Sequence, residues 1–171
     1  NSFENPAHEH LIKDIIRQEA QNLSVSISYD VLPQIREYER TSTTVTNAYV
    51  KPLTGRYLNK LSKRLEAVGS RGRLFIMLSS GGITSVETAA RFPIRLVESG
   101  PAGGAILARE VARGAGLERV LSFDMGGTST DVSIIDQEIG FTTEGHIGEY
   151  PVAVPMVDMH TIGAGGGSIA R

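Results

Sequence analysis

The stretch Leu121-Ser-Phe-Asp-Met-Gly-Gly-Thr-Ser-Thr-Asp-Val-Ser-Ile-Ile135 decides how the rest of the chain is read. A short apolar run, Val120 to Phe123, leads into Asp124, a glycine pair, three hydroxyl residues and Asp131; a second apolar run begins at Val132. That order predicts strand, tight turn, strand. Gly126 and Gly127 can take φ > 0 without steric cost and let the backbone approach a ligand closely. Successive N–H groups in such a turn make a concave anion site, and Thr128, Ser129 and Thr130 add hydroxyl donors. Asp124 and Asp131 are poor neighbours for a bare phosphate, so they imply a Mg²⁺ between carboxylates and phosphates, held through water. One of them also suits the orientation of an attacking water. A lone Gly-Gly would need nothing more than a hairpin turn. Asp, Gly-Gly, three hydroxyls and Asp between two apolar runs favour a phosphate loop.

Two repeats of one layout precede the hairpin. Leu74-Phe-Ile-Met-Leu78 is a continuous apolar run that suits a central strand covered on both faces. It ends in Ser79-Ser-Gly-Gly82, and a helix is expected from about Thr84 to Arg91. Ile94 to Glu98, then Ser99-Gly-Pro-Ala-Gly-Gly104, then a helix through Ala112 repeat the pattern, with Pro101 suited to a first helical turn. Strand, glycine loop, helix places ligand loops at the carboxyl ends of strands. Ser80, Gly81 and Gly82 are therefore candidate substrate contacts, the alternative being a turn that needs glycine for its geometry. Ala102, Gly103, Gly104 and Ala105 permit very close helix packing.

Farther out, Leu11, Ile12, Ile15 and Ile16 mark one face of a helix over residues 8–22. Val25, Ile27 and Tyr29 alternate with serines, as in a half-buried strand. A helix is expected from about Arg40 despite the threonine-rich run Thr41–Thr46, whose intrinsic propensity is poor. Pro52 should kink or restart it. Leu53, Tyr57, Leu58, Leu61, Leu65 and Val68 then form an amphipathic stripe that Gly69 stops. Beyond the hairpin, a turn at residues 135–138 leads to a third strand, Ile139 to Thr143, and Val152, Val154 and Met156 suggest an edge strand among prolines. Asp158 and His160 are two apart and share a face if extended; they are candidates for binding a metal or orienting a substrate carbonyl, or for a purely structural role. The glycine-rich run Gly163–Ser168 reads as an anion nest or as a frayed tail.

Composition narrows the class. The 171 residues are 40% hydrophobic and 21% charged, with a net charge of −2, enough for a real core. There is no basic footprint for nucleic acid or anionic membrane. The absence of cysteine removes disulfides and thiolate metal sites. No apolar run reaches membrane-spanning length, and the polar start carries no signal-peptide pattern, so a cytoplasmic location is the expectation.

Phe123-Asp-Met-Gly-Gly-Thr-Ser-Thr-Asp-Val-Ser-Ile134 resembles a phosphate loop of the actin, sugar-kinase and heat-shock-chaperone ATPase superfamily. It is closer still to the hydantoinase A / 5-oxoprolinase family, which includes ATP-dependent ketone carboxylase subunits. Asn5–His10, Glu37–Thr44, Asn47–Tyr49, Ser80–Ile83, Ser99–Gly104 and His160–Ile169 resemble the same family, in family order. The resemblance implies an actin-like α/β lobe, ribonuclease H-like, with a mixed sheet and an antiparallel meander flanked by helices. It divides the chain into a mainly helical segment, 1–69, and the lobe proper, 70–171. It implies ATP and Mg²⁺ as cofactors, with Asp124, Gly126–Thr130 and Asp131 on Mg·phosphate and Gly103 and Gly104 in a hinge helix beside the nucleotide. It places Glu39 and Arg40 near the substrate cleft, as active-site residues, the alternatives being an ion pair or a solvated helix start.

The activity implied is ATP-dependent hydrolysis of a small cyclic amide, a hydantoin or 5-oxoproline, by phosphoryl activation of the ring carbonyl. The alternatives are a ketone carboxylase subunit and a non-catalytic nucleotide-binding lobe. Family members are longer and close two related lobes over the nucleotide, whereas this chain has one Asp-x-Gly-Gly-Thr hairpin. The expectation is an internal fragment, inactive alone, whose other lobe precedes it. A second, hydantoinase B-type subunit or fused domain is the expected partner.

Overall fold

The computed structural model describes residues 1–169. In chain order it forms α1 (Ala7–Glu19), α2 (Ser28–Val31), α3 (Glu37–Ala67), β1 (Phe75–Met77), β2 (Ile83–Ser85), α4 (Val86–Arg91), a 3-10 turn (Pro93–Leu96) and α5 (Ser99–Gly114). Strands follow: β3 (Arg119–Met125), β4 (Thr130–Asp136), β5 (Glu138–Ile139), β6 (Phe141–Thr142), β7 (Gly145–Ile147), β8 (Tyr150–Val152), β9 (Met156–Val157) and β10 (His160–Ile162). The result is a mixed α/β fold of antiparallel strand pairs and helices. It divides into two compact units. The first comprises Asn1–Ile76, Ile83–Val97 and Thr143–Val154; the second comprises Met77–Gly82, Glu98–Thr142 and the residues from Pro155 on.

The first unit is organised around α3. Its threonine run is helical because the hydroxyls close onto the helix itself. Thr43, Thr44 and Thr46 each donate to the carbonyl four residues back, at 2.7, 2.7 and 2.9 Å. The helix continues unbroken through Pro52 rather than restarting there. Of the stripe expected beyond it, Leu58 is buried, but Leu53, Tyr57 and Val68 are exposed. Periodicity located the apolar face; burial depends on what packs opposite, and α2, α4, the 3-10 turn and β8 are what pack on this helix.

Two expected strands of this unit are absent. Residues 24–27 run extended without a strand partner, and Ser28 opens α2. Side chains satisfy this segment where a neighbouring strand would have: Glu9 accepts from Ser28 Oγ (2.6 Å) and Tyr29 N–H (3.0 Å), and Lys51 donates to the Val25 carbonyl (2.9 Å). Residues 94–98 likewise form no strand. Pro93 opens the 3-10 turn, and the Ile94 N–H donates to Asn47 Oδ1 at 3.3 Å. The expected central strand at residues 74–78 shortens to β1, whose first residue, Phe75, is exposed.

The second unit is α5 laid on a small antiparallel sheet. β3 and β4 pair along seven residues, from Arg119↔Asp136 to Met125↔Thr130, as the sequence predicts. β5 and β10 add to β4, and Gln137, at φ +62°, makes the turn into β5. Ala102 and Ala105 of α5 pack with Ile135, Ile139 and Val157, with Ile106, Ala108, Val120 and Met159 against them. Small helix residues let the helix sit close to the sheet, where apolar burial is worth about 25 cal/mol per Å². The expected third strand splits, β5 pairing with β4 and β6 with β9. Val152, Val154 and Met156 do not form one edge strand. All three are buried, Val152 in β8 and Met156 in β9.

Candidate phosphate-binding site

Opposed residues of an antiparallel ladder share a face, and the register therefore fixes the chemistry of the hairpin. Asp131, Ser133 and Ile135 of β4 lie on the face shared with Asp124, Ser122 and Val120 of β3. Ile135 and Val120 bury that face under α5. Asp124 stands directly opposite Asp131 at the hairpin end of the same face. Gly104 of α5 comes up beside it, so that a Cβ there would lie 3.7 Å from Asp124 Oδ2; Gly103 sits over Met77.

The hairpin tip is open. The Gly126 N–H donates to the Ser129 carbonyl at 2.9 Å. Among the described residues the N–H groups of Gly127, Thr128 and Ser129 donate to nothing, and Thr128 is exposed. Three amides and two hydroxyls are thus available to an anion. Neither Gly126 nor Gly127 is at positive φ, so the turn does not draw on the freedom glycine offers there. The strict requirement for glycine falls instead on the loop facing them. A Cβ on Gly165 would lie 2.5 Å from the Gly126 carbonyl oxygen and 2.9 Å from the Thr128 nitrogen, and one on Gly167 would lie 2.8 Å from the Gly127 oxygen. Both are closer than a real Cβ contact allows.

The glycine-rich run is therefore the hairpin's backing and not a frayed tail. Gly166 and Gly167 donate to the carbonyls of Gly126 and Gly127, both at 3.0 Å, and Gly165 N–H donates to Ser168 Oγ. These amides are spent inside the protein, so the run is not itself an anion nest. Thr130 is buried and donates to the Ala164 carbonyl at 2.7 Å, which ties the hairpin to this loop instead of offering a donor to a ligand.

Two groups of the site escaped the sequence reading. Thr161 of β10, opposite Asp131 in the register, donates its hydroxyl to Asp131 Oδ1 at 2.6 Å. Its signal is the block His160–Ile169, whose glycines and His160 mask a lone threonine. Glu98 caps α5 at φ +60°. Partial desolvation, and then the charge of Asp131, hold its carboxyl above the usual carboxylate range. No pattern in the sequence marks it.

The remaining candidates have other surroundings. Glu39 lies in the first unit, 3.6 Å from the Arg36 guanidinium. Arg40 is buried there, donating to the Gln34 carbonyl and stacked 5.7 Å from the Phe3 ring centroid. In the second unit, Gly81 is at φ +76°, closed by its N–H to the Leu78 carbonyl (2.8 Å) and pressed on Ile106, between Ser80 and Gly82. Asp158 is exposed; its backbone joins Gly140 and Ser133. His160 is exposed at the start of β10. Among the described residues no cluster of three or more His, Cys, Asp or Glu side chains is placed to hold a metal ion.

A cation fits the hairpin nonetheless. Two carboxylates directly opposed on a ladder repel, and Mg²⁺ is usually bound by one or two carboxylates, with water and phosphate oxygens completing its shell. Asp124 and Asp131 would supply those carboxylates, and the free amides of residues 127–129 the phosphate cradle.

A mixed α/β fold of antiparallel sheets flanked by helices is that of an actin-like ATPase lobe. The sequence model of the hydantoinase/oxoprolinase family matches residues 40–171, and the chain belongs to that family. It is 39% identical to an uncharacterised protein of Methanocaldococcus jannaschii over 99% of this chain and 27% of that one. Nucleotide-free acetone carboxylase superposes with a TM-score of 0.85 at 30% identity, over 96% of this chain and 24% of that one. ATP-dependent caprolactamase from Pseudomonas jessenii superposes at 0.81 with 34% identity, over 99% and 25%. The chain thus spans about a quarter of the length of these relatives. Among the described residues no helix is long and apolar enough to cross a membrane.

Proposed function

We propose that this chain is the phosphate-binding lobe of an ATP-dependent enzyme that activates a sluggish carbonyl compound by phosphoryl transfer. The observation that carries the proposal is the opposed pair Asp124–Asp131 beside three amides that donate to nothing among the described residues, backed by a loop in which Gly165 and Gly167 leave no room for a Cβ. Bound Mg·ATP would supply a transferable phosphoryl group, which turns a carbonyl or carboxylate oxygen into a leaving group. The protein's part is positioning and charge neutralisation. The amides of Gly127, Thr128 and Ser129 hold phosphate oxygens. Asp124 and Asp131 hold the cation's water shell. Thr161 holds Asp131 through Oδ1, so that Oδ2 carries no bond from Thr161.

Of the reactions open to such a site, ketone carboxylation is favoured by the 0.85 TM-score to acetone carboxylase. Activation there falls on an enolate or bicarbonate oxygen. Ring opening of a cyclic amide is the second reading, favoured by the likeness to caprolactamase. In that case the amide oxygen is phosphorylated before water attacks. The rest of the enzyme, including the other nucleotide-binding lobe and a second large subunit, is proposed to lie outside this chain.

The test is ATP consumption by the complete protein, offered acetone with bicarbonate in one arm and caprolactam, 5-oxoproline or hydantoin in the other. Carboxylate product tied stoichiometrically to ATP supports the first reading, and ring-opened amino acid supports the second. ATP-coupled turnover that persists in Asp131→Asn overturns the assignment of the site.

A further inference from the structure

The first unit holds a second concave site, of opposite electrical character. A cavity of about 410 Å³ opens between α1, the extended segment 25–27, α3 and the end of α4. Four cations line it: Lys13 and Arg17 from α1, Lys51 from α3 and Arg91 from α4. One carboxylate, Asp30, answers them, and Lys13 (2.7 Å) and Arg91 (3.0 Å) share its Oδ2. The lining carries a surplus of positive charge in a chain whose net charge is −2.

The pairings are unequal. Asp30 offsets Lys13 and Arg91, which outweigh its desolvation and hold its carboxyl below the usual range. Among the described residues Arg17 pairs with Asp14, 3.9 Å away and exposed, and such a surface pair is worth little. Lys51 donates to the Val25 carbonyl, a neutral partner, at 2.9 Å. Desolvation first, then the charges of Lys13, Arg91 and Arg17, hold its ammonium below the usual lysine range. A cation whose charged form is disfavoured is stabilised by an anion that displaces nothing already paired. Lys51 retains two N–H donors, and Ser26 Oγ, which accepts from the buried Asn47 amide at 3.3 Å, keeps its own proton to give.

We propose that this cavity is a binding site for a small multiply charged oxyanion, a phosphate ester or a dicarboxylate, held by Lys51 and Arg17 over the hydroxyl of Ser26. Its volume falls in the range of small-molecule pockets and exceeds the roughly 30 Å³ share of one water several-fold, so it admits an organic anion as well as phosphate itself. The proposal is independent of the nucleotide assigned to the second unit, which lies on other residues.

The experiment titrates the complete protein with inorganic phosphate and with succinate, at constant ionic strength, by calorimetry. Wild type is compared with Lys51→Gln, Arg17→Gln and Asp131→Asn. Saturable binding that weakens tenfold or more in both Lys51→Gln and Arg17→Gln and persists in Asp131→Asn is the expected result. Whichever probe binds more tightly then assigns the ester or the dicarboxylate. Arg17 is mostly exposed, so its variant separates lost binding from lost folding should Lys51→Gln unfold. Absence of binding by either probe overturns the proposal, as does binding kept in both Lys51→Gln and Arg17→Gln; tightening in Asp131→Asn, which removes a carboxylate that repels a bare anion, would then place the anion on the hairpin.

Discussion

Asn47 and Thr43 in the first unit are fully buried and engaged. The Asn47 amide donates to Ser26 Oγ and the Arg91 carbonyl and accepts from Ile94 N–H; Thr43 Oγ1 donates to Glu39 and accepts from Ala153 N–H at 3.0 Å. In the second unit the amides of Gly127, Thr128 and Ser129 at the hairpin tip donate to nothing among the described residues. Both regions come from polar blocks of similar appearance, Glu37–Thr44 with Asn47–Tyr49 on one side and Asp124–Asp131 on the other. The difference teaches that a polar motif has two possible destinations. A side-chain amide or hydroxyl buried in an apolar setting must be satisfied and becomes a fastener. Backbone donors at a strand end are left for a ligand.

That contrast can be broken by experiment. The largest effect is expected from Asp131→Asn. ATP-dependent turnover should fall by about two orders of magnitude or more, the scale of losing one preorganised transition-state stabiliser, with the urea midpoint unchanged. A large drop in midpoint would make Asp131 a fastener too.

Asn47→Ala should behave in the opposite way. It strands the buried Ile94 N–H, and stability in urea should fall by about 2–3 kcal/mol. If folding is unaffected while turnover collapses, the block belongs to a site instead.

Gly165→Ala sharpens the comparison within the second unit. Its Cβ would collide with backbone of the hairpin, and overpacking costs about 1–3 kcal/mol. Nucleotide binding should weaken roughly tenfold, whereas Gly127→Ala, with open space around its Cβ, should weaken it less. Equal effects would deny that the two loops form one cradle.

The smallest effect is one of pH. Burial tends to raise the carboxyls of Glu9 and Asp30, but the bonds from Ser28 and Tyr29 to Glu9, and those from Lys13 and Arg91 to Asp30, outweigh it and hold both low. Their stabilisation is present above about pH 4, the ordinary carboxylate range, and is lost as pH falls through the lower folded-state values. Acid unfolding should therefore show extra proton uptake below about pH 4, and Asp30→Asn should reduce it. An unchanged acid limb in that variant would remove Asp30 from the account.

Much of the hairpin was legible because its determinants are local: two apolar runs, a glycine pair and flanking acids specify strand, turn and strand within sixteen residues, from Val120 to Ile135. The same locality made α1 and α3 readable from their apolar spacing. Reading failed where a partner distant in sequence decides. Residues 24–29 alternate like a strand, yet Glu9 and Lys51 satisfy them first. Ile94, Leu96 and Val97 read like a strand, yet Pro93 and the amide of Asn47 bend residues 94–98 into a turn. Gly126 and Gly127 are glycines that φ does not require; Gly165 and Gly167 require it because backbone lies against them.

By itself, then, the sequence determined the hairpin, the small-residue helix above it and the family they resemble, since each rests on neighbours along the chain. Only the tertiary structure decided that Thr161 holds Asp131, that Glu98 faces the same charge, and that four cations from three helices surround one aspartate. These are meetings of residues 13 to 61 positions apart, and no local pattern records which distant side chain will arrive to meet a donor or a charge.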